Sequence, residues 1–189
     1  MPKLSCTKRE KRLNITFRKE DTVYHKDGYV GDGQMLINLR GMRAYKIKFP
    51  ESEVNQAYWD EQEFLYNDKA GLVIGYGEAP NIERLIKSQE EDARDACTTS
   101  EVEITPIEIV ERDTGSVSVV FVCKGKAGLV DKKYLPLLLM GDRIVSRGTE
   151  RPLIVLHCGD VLAVVTPMLF PMSGVNYKYY QGLKRIVKF

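Results

Sequence analysis

LVDKKYLPLLLMGDRIVSRGTERPLIVLHCGDVLAVVTPMLFP, residues 129–171, is the stretch that decides the fold of this chain. Its apolar block behind Asp131 predicts a short helix over residues 131–140, because a carboxylate there accepts unpaired N–H groups of the first turn. Pro136 is compatible with this helix only inside that first turn. The remainder predicts three strands, the last entered through a Gly159–Asp160 turn: residues 143–146, 153–157 and 161–166.

Upstream of this stretch, alternation of apolar and polar residues predicts further strands, over residues 13–17, 35–39, 42–49, 72–77, 101–109 and 117–122. The acidic segment 51–64 predicts a short surface helix. The charged run 87–96 is typical of either a solvated helix or a linker, and it is the best candidate boundary. We therefore expect an α+β protein, mostly antiparallel sheet with short helices, divided into residues 1–90 and 91–189 unless the domain is continuous.

Composition indicates an ordinary globular protein. The 189 residues are 43% hydrophobic and 29% charged, with a net charge of +2. No run of about 18 apolar residues is present, which argues against a membrane span. The basic N-terminus has no apolar segment, so we expect no secretory signal and a cytoplasmic location. The small net charge excludes a strongly cationic nucleic-acid binder, although a basic face remains compatible with it.

The cysteines and histidines do not show the spacing of a metal site. No CxxC pair occurs, and the two histidines complete no ligand cluster. His157 and Cys158 are neighbours on an expected strand, so their side chains should point to opposite faces and not share a metal. We expect structural thiols in a reducing cytosol, with no metal and no cofactor, for all four cysteines: Cys6, Cys97, Cys123 and Cys158.

The sequence also lacks a catalytic signature. No Ser-His-Asp, Cys-His or HExxH grouping is present. The glycines of GYGEAP, residues 75–80, do not have the spacing of a phosphate-binding loop. Acidic residues such as Asp32 and those within residues 51–63 have no motif spacing, and a charged helix face accounts for most of them. We therefore expect a protein that is not an enzyme.

A set of residues in the C-terminal part occurs in the order found in a known family. They are Tyr134, Leu135, Leu138, Pro152, Leu153, Val164, Val165, Pro167 and Met168. This pattern resembles the last subdomain of DNA sliding clamps, most closely the bacterial beta subunit of DNA polymerase III. Residues 77–86 and 29–36 are similar to two further segments of that family. The chain is shorter than the family's members and residues 172–189 have no counterpart, which fits a divergent phage or mobile-element relative.

The resemblance implies βαβββ units and a non-catalytic replication or processivity factor that forms a homo-oligomer. Its helices would contact the phosphates of double-stranded DNA, and a groove would capture short peptides of a polymerase or other replication proteins. The implied DNA-binding residues are Lys124, Lys126, Lys132 and Lys133. Lys184 and Arg185 are further DNA-binding candidates because they lie in the basic tail, not because of the resemblance. The implied peptide-binding residues are Val164, Val165, Pro167, Met168 and Phe170.

Plainer interpretations exist for each of these sites. The lysines at 132 and 133 suit a solvated helix start, and residues 164–167 suit a core strand that ends at a proline turn. The aromatic and basic tail, residues 172–189, suits either single-stranded nucleic-acid binding or a docked edge strand. The alternative function is a viral or mobile-element protein-interaction module without DNA-binding activity.

Overall fold

A computed structural model describes residues 12–17, 21–39, 44–48, 64–67, 69, 71–74, 82–95, 97–110 and 115–168. Residues 51–63 of the expected acidic helix lie outside the described residues, and its last expected residue, Phe64, begins a strand instead. The tail and the candidate residues Phe170, Lys184 and Arg185 lie outside them as well.

The described part of the chain contains thirteen strands and two α-helices, with a 3₁₀ turn before the second helix. They are β1 (Arg12–Thr16), β2 (Val23–Lys26), β3 (Tyr29–Gly31), β4 (Met35–Asn38), β5 (Ala44–Lys48), β6 (Phe64–Asn67), β7 (Gly71–Ile74), α1 (Ile82–Arg94), β8 (Ser100–Val110), β9 (Val117–Cys123), β10 (Lys126–Asp131), a 3₁₀ turn (Lys132–Tyr134), α2 (Leu135–Leu138), β11 (Arg143–Ser146), β12 (Leu153–His157) and β13 (Asp160–Val165).

Antiparallel pairing dominates the sheet structure. Eleven of the described strands form one sheet in the order β10-β9-β8-β11-β12-β13-β4-β3-β2-β6-β7, while β1 and β5 form a separate parallel pair. Every pairing within the large sheet is antiparallel. The expectation of an α+β protein with mostly antiparallel sheet is confirmed.

The sheet curves until two distant strands meet. Just beyond β13, the Met168 N–H donates to the Leu129 carbonyl oxygen on β10 at 2.8 Å. Leu129 and Met168 form an antiparallel bridge, so the edge strand β10 meets the chain that leaves β13. Buried side chains of β9, β10 and β12 can therefore share one core.

The central strand β13 is covered on both faces. On one face, Val165 of β13 belongs to a large core together with Val155 and Phe121. The opposite face packs against α1 through Ile86, in a cluster that includes Val164. Alternate residues of a strand point to opposite faces, so a strand buried on both sides is a continuous apolar run, as residues 161–165 are.

The strands and the helix predicted from residues 129–171 agree with the structure. The strands β11 and β12 have the predicted bounds. The helix begins as a 3₁₀ turn whose N-cap is Asp131, and the Asp131 Oδ1 accepts the Lys133 N–H at 2.9 Å. Pro136 lies in the first turn of α2, where its missing N–H costs no hydrogen bond.

Three hairpin turns have positive φ at two successive residues, as type I′ turns require. They are Asp27–Gly28, Lys124–Gly125 and Cys158–Gly159. The predicted turn at Gly159–Asp160 is wrong by one residue, because Asp160 already pairs with His157 as the first residue of β13. Cysteine at the first turn position is less common than asparagine, aspartate or glycine.

The eleven-residue strand β8 is irregular in its middle. Its register with β9 shifts between Ile104 and Glu108. In this bulge the Thr105 hydroxyl donates to the Val120 carbonyl oxygen at 2.8 Å, in place of a ladder hydrogen bond. On its other edge β8 pairs with β11 only at Ser100 and Glu101 among the described residues.

The charged run 87–96 does not separate the described strands into two sheets. Residues 87–94 belong to α1, which packs on β13. The strand β4 from the first half pairs with β13 from the second, through Leu36 and Val164 among others. The large core likewise contains residues from both halves, for example Val30 and Val155.

A substitution at Gly128 tests how tightly strands β9 and β10 pack against each other. A Cβ at Gly128 would collide with the ring of Phe121, the fully buried residue directly opposite it. We expect Gly128→Ala to lower the free energy of unfolding by about 2 kcal/mol through overpacking. Urea denaturation measures it, with Gly148→Ala as the matched control because a Cβ at Gly148 meets open space. Equal midpoints for the two variants would contradict the packing.

Candidate nucleic-acid and peptide interface

A buried carboxylate fastens the helical segment to the loop between β3 and β4. The side chain of Asp32 is 2% exposed. Its Oδ1 accepts the N–H groups of Gln34 and Met35 at 3.0 and 2.9 Å, and its Oδ2 accepts the Tyr134 hydroxyl at 2.7 Å. A buried charge needs such donors, because losing its hydration without replacement is costly.

Lys133 completes this network. Its Nζ lies 3.3 Å from Asp32 Oδ2 and 3.4 Å from Asp21 Oδ1, and 4.8 Å from the centroid of the Tyr134 ring. The Lys133 side chain is 21% exposed. The ammonium group therefore neutralises two acids of the protein itself.

The same network keeps the Tyr134 phenol protonated. Burial raises the pKa of Tyr134 far above its ordinary value, and the negative charge and hydrogen bond of Asp32 raise it further. Burial, followed by the charge of Asp32, also raises the pKa of Tyr24. Tyr134 accordingly acts as a hydrogen-bond donor to Asp32 throughout the physiological pH range.

The four candidate DNA-binding lysines among the described residues lie in two pairs at opposite ends of β10. Lys124 occupies the β9–β10 turn, where its Nζ donates to the Thr98 carbonyl oxygen at 2.6 Å, and Lys126 is exposed nearby. Lys132 follows the other end and contacts Glu108 at 2.7 Å. Six residues of extended chain separate Lys126 from Lys132 by roughly 20 Å, so the two pairs do not form one compact patch.

The residues implied in peptide binding differ in exposure. Val164 and Val165 are buried in β13, and Pro167 is also buried. Met168 is 39% exposed, and its Sδ accepts the Ser118 hydroxyl at 3.1 Å. Among the described members of this set, Met168 is thus the one that offers apolar surface to a partner.

A second apolar surface was not predicted from the sequence. A groove of about 320 Å³ lies where the end of α2 meets β8 and β11, with Leu138, Ile104 and Ile144 in its lining. Leu139 is 65% exposed at its edge. A helix of little more than one turn cannot bury four successive leucine and methionine side chains on one face, so part of the apolar block 134–140 lies at the surface.

The expectation that the side chains of His157 and Cys158 point to opposite faces of a strand is wrong. Cys158 is a turn residue rather than a strand residue, so its side chain does not alternate with that of His157, and Sγ lies 3.5 Å from His157 Nε2. Cys158 is also disulfide-bonded, whereas Cys97 and Cys123 are free thiols. Four structural thiols were expected, and Cys158 departs from that.

Comparisons of the chain with family models, curated proteins and solved structures find no match. Among the described residues, no helix is both long enough and apolar enough to cross a membrane.

Tyr134→Phe tests the contribution of the buried carboxylate. The variant removes the 2.7 Å hydrogen bond to Asp32 and leaves the charge with one donor fewer. We expect the free energy of unfolding to fall by about 2 kcal/mol, since hydrogen bonds to charged groups are the stronger ones. Lys132→Ala, which breaks the exposed pair with Glu108, should cost less than about 1 kcal/mol. A larger loss for Lys132→Ala than for Tyr134→Phe would refute this ranking.

The raised pKa of Tyr134 predicts a loss of stability in alkali. The unfolded chain releases the phenolic proton at about pH 10, but the folded chain still retains it at that pH. This contribution to stability is therefore complete below about pH 10 and declines as the pH rises above it. Urea denaturation at several alkaline pH values should show a steeper decline for the wild type than for Tyr134→Phe. Parallel declines would show that Tyr134 does not titrate as described.

Proposed function

We propose that this chain is a non-catalytic, clamp-like accessory protein of DNA replication that works in the cytoplasm and belongs to a phage or mobile element. Supporting this proposal is the succession β10, helix, β11, β12, β13, which has the βαβββ order implied by the resemblance. The three strands that follow the helix form an antiparallel meander.

A second helix-and-meander succession adds to this support. The helix α1 is followed by β8, β9 and β10, which also pair as an antiparallel meander. The two meanders meet edge to edge where β8 pairs with β11, each the first strand after its helix. A duplicated unit of this kind is what a ring-forming clamp would be built from.

Engagement of DNA would rely on phosphate contacts, which give affinity without sequence specificity. Lys124 and Lys126 are the described candidates with exposed side chains in the β9–β10 hairpin. Lys132 and Lys133 already contact carboxylates, so a phosphate would have to compete with Glu108 or with Asp32.

Peptide capture would use Met168 at the end of β13. Methionine is suited to partners of varied shape, because its unbranched thioether side chain repacks easily. Its neighbour Pro167 is buried, and the proline ring restricts the backbone at that point.

Salt-dependent DNA binding tests the electrostatic part of the proposal. We expect the double variant Lys124→Glu/Lys126→Glu to weaken binding to a fluorescent duplex and to reduce the slope of log K against log salt by about two. Lys87→Glu is the charge control, since Lys87 is exposed on α1. Fluorescence anisotropy measures both quantities. Equal binding by the double variant and wild type would remove these lysines from the interface.

Topology is tested separately with plasmid DNA. A ring should stay on a closed circular plasmid and leave when a restriction enzyme cuts it, and light scattering coupled to size-exclusion chromatography should show a dimer or trimer. A monomer with no retention on circular DNA would overturn the clamp proposal.

The second candidate function is a protein-interaction module that does not bind DNA. It is favoured by the ion pairs that occupy Lys132 and Lys133, and by the packing of the two helices: α1 contacts one face of β13, and α2 belongs to the core on the other. Two of the exposed apolar residues, Met168 and Leu139, are then the candidate contacts.

A displayed library of random peptides distinguishes the two apolar surfaces. Peptides selected on the wild-type protein should bind Met168→Glu about tenfold more weakly, a loss typical of a central contact residue. Leu139→Glu is the matched control, because it places the same charge on another exposed apolar residue, at the edge of the groove by α2. If only Leu139→Glu weakens binding, peptide capture belongs to the groove at the end of α2 instead.

A further inference from the structure

Three side chains with metal-binding atoms converge at the tip of the β12–β13 hairpin. Asp142, His157 and Cys158 each offer one ligand atom, and these atoms lie within 4.8 Å of one another. His157 Nε2 is 3.5 Å from Cys158 Sγ, and His157 Nδ1 is 3.4 Å from Asp142 Oδ2. Only one of these two His157 nitrogens can bind a given ion, so the limit of 4.8 Å describes the set of three ligand atoms. Ligand atoms around a tetrahedral zinc ion are about 3.3–3.8 Å apart, so the cluster must contract by at most about 1.5 Å to bind one.

The backbone holds these residues together independently of any ion. The Asp142 N–H donates to the Leu156 carbonyl oxygen at 3.0 Å, and the Cys158 N–H donates to Asp142 Oδ2 at 2.8 Å. Gly141 permits this close approach, because a Cβ there would lie 2.5 Å from Val155 Cγ1. The ligands therefore come from a fixed loop and a tight turn.

His157 carries a ring nitrogen that the described protein atoms do not satisfy. Its Nδ1 is buried and has no hydrogen-bond partner, although Asp142 Oδ2 is near. Buried polar atoms without a partner are rare in folded proteins, and a bound ion is one recognised explanation. Either ring nitrogen could be the ligand, with a small rotation of the imidazole.

We propose that Asp142, His157 and Cys158 form a zinc-binding site when Cys158 is reduced. Thiolate, imidazole and carboxylate together are ligands suited to Zn²⁺, with a water molecule in the fourth position. Because Cys158 is disulfide-bonded in the structure, its sulfur can act as a ligand only after that bond is broken. The site is thus controlled by redox state.

The chemistry of the switch balances with a dithiol as reductant. The dithiol donates two electrons and two protons, the Cys158 disulfide becomes two thiols, and the dithiol becomes a cyclic disulfide. Zn²⁺ then displaces the proton of the Cys158 thiol into the buffer and binds the thiolate. Cys158 is exposed, which gives the reductant access.

Calorimetric titration of the full chain with Zn²⁺ tests the site. Protein reduced with dithiothreitol, then freed of metal and excess dithiol, should bind a single zinc ion at this site. The oxidised protein should bind about tenfold more weakly or not at all. Cys158→Ser, His157→Gln and Asp142→Asn should each weaken binding about tenfold or more. Cys97→Ser is the matched control, because Cys97 is an exposed free thiol outside the cluster.

Cobalt absorption supplies a readout that does not depend on heat. Reduced wild type and Cys97→Ser should give a thiolate-to-cobalt charge-transfer band that Cys158→Ser lacks. Thermal denaturation should show a zinc-dependent rise for the wild type and none for Cys158→Ser, while matching melting curves without metal show that the variants fold. Absence of zinc binding to the reduced wild type, or equal binding by Cys158→Ser, would overturn the proposal.

Discussion

The constraint on which the structure depends is the burial of β13 on both faces. This strand pairs with β12 on one side and with β4 on the other, and the chain just beyond it bridges to β10. One side of β13 belongs to the core shared with β9 and β12, and the other supports α1. Removing a methyl group here would leave a cavity that neither layer can close easily.

That burial decides which candidate residues can meet a partner. Val164 and Val165 hold the sheet together, so their apolar side chains are not available at the surface. Exposure begins just past the end of the strand, at Thr166, and Met168 is the first exposed apolar side chain there. Function in this part of the molecule is therefore confined to the strand's end and the loops beside it, where a side chain can change without loss of the core.

The buried charge of Asp32 gives two neighbouring lysines different roles. In sequence, Lys132 and Lys133 look alike. In the structure Lys132 contacts an exposed acid, whereas Lys133 compensates a carboxylate that is 2% exposed. Removing Lys133 would leave Asp32 short of positive charge in a region of low polarity, which costs far more than losing a surface ion pair.

Local signals were sufficient for the elements within residues 129–171. The bounds of β11 and β12, the cap at Asp131 and the place of Pro136 all follow from short-range chemistry. The contacts of Lys133 with Asp21 and Asp32 could not be predicted, because they join residues more than one hundred positions apart. The meeting of His157 and Cys158 was missed for a local reason, since one residue's difference in the turn reverses where a side chain points.

The irregular middle of β8 has a consequence for how the protein behaves in concentrated solution. A long strand with an open edge invites the same strand of another molecule to add to it, which is a common start of aggregation. Pro106 has no N–H to offer such a neighbour, and the bulge beside it bends the edge out of register. Glu103 would bring like charges together in a stack of identical strands, so this segment resists the addition of a second copy of β8.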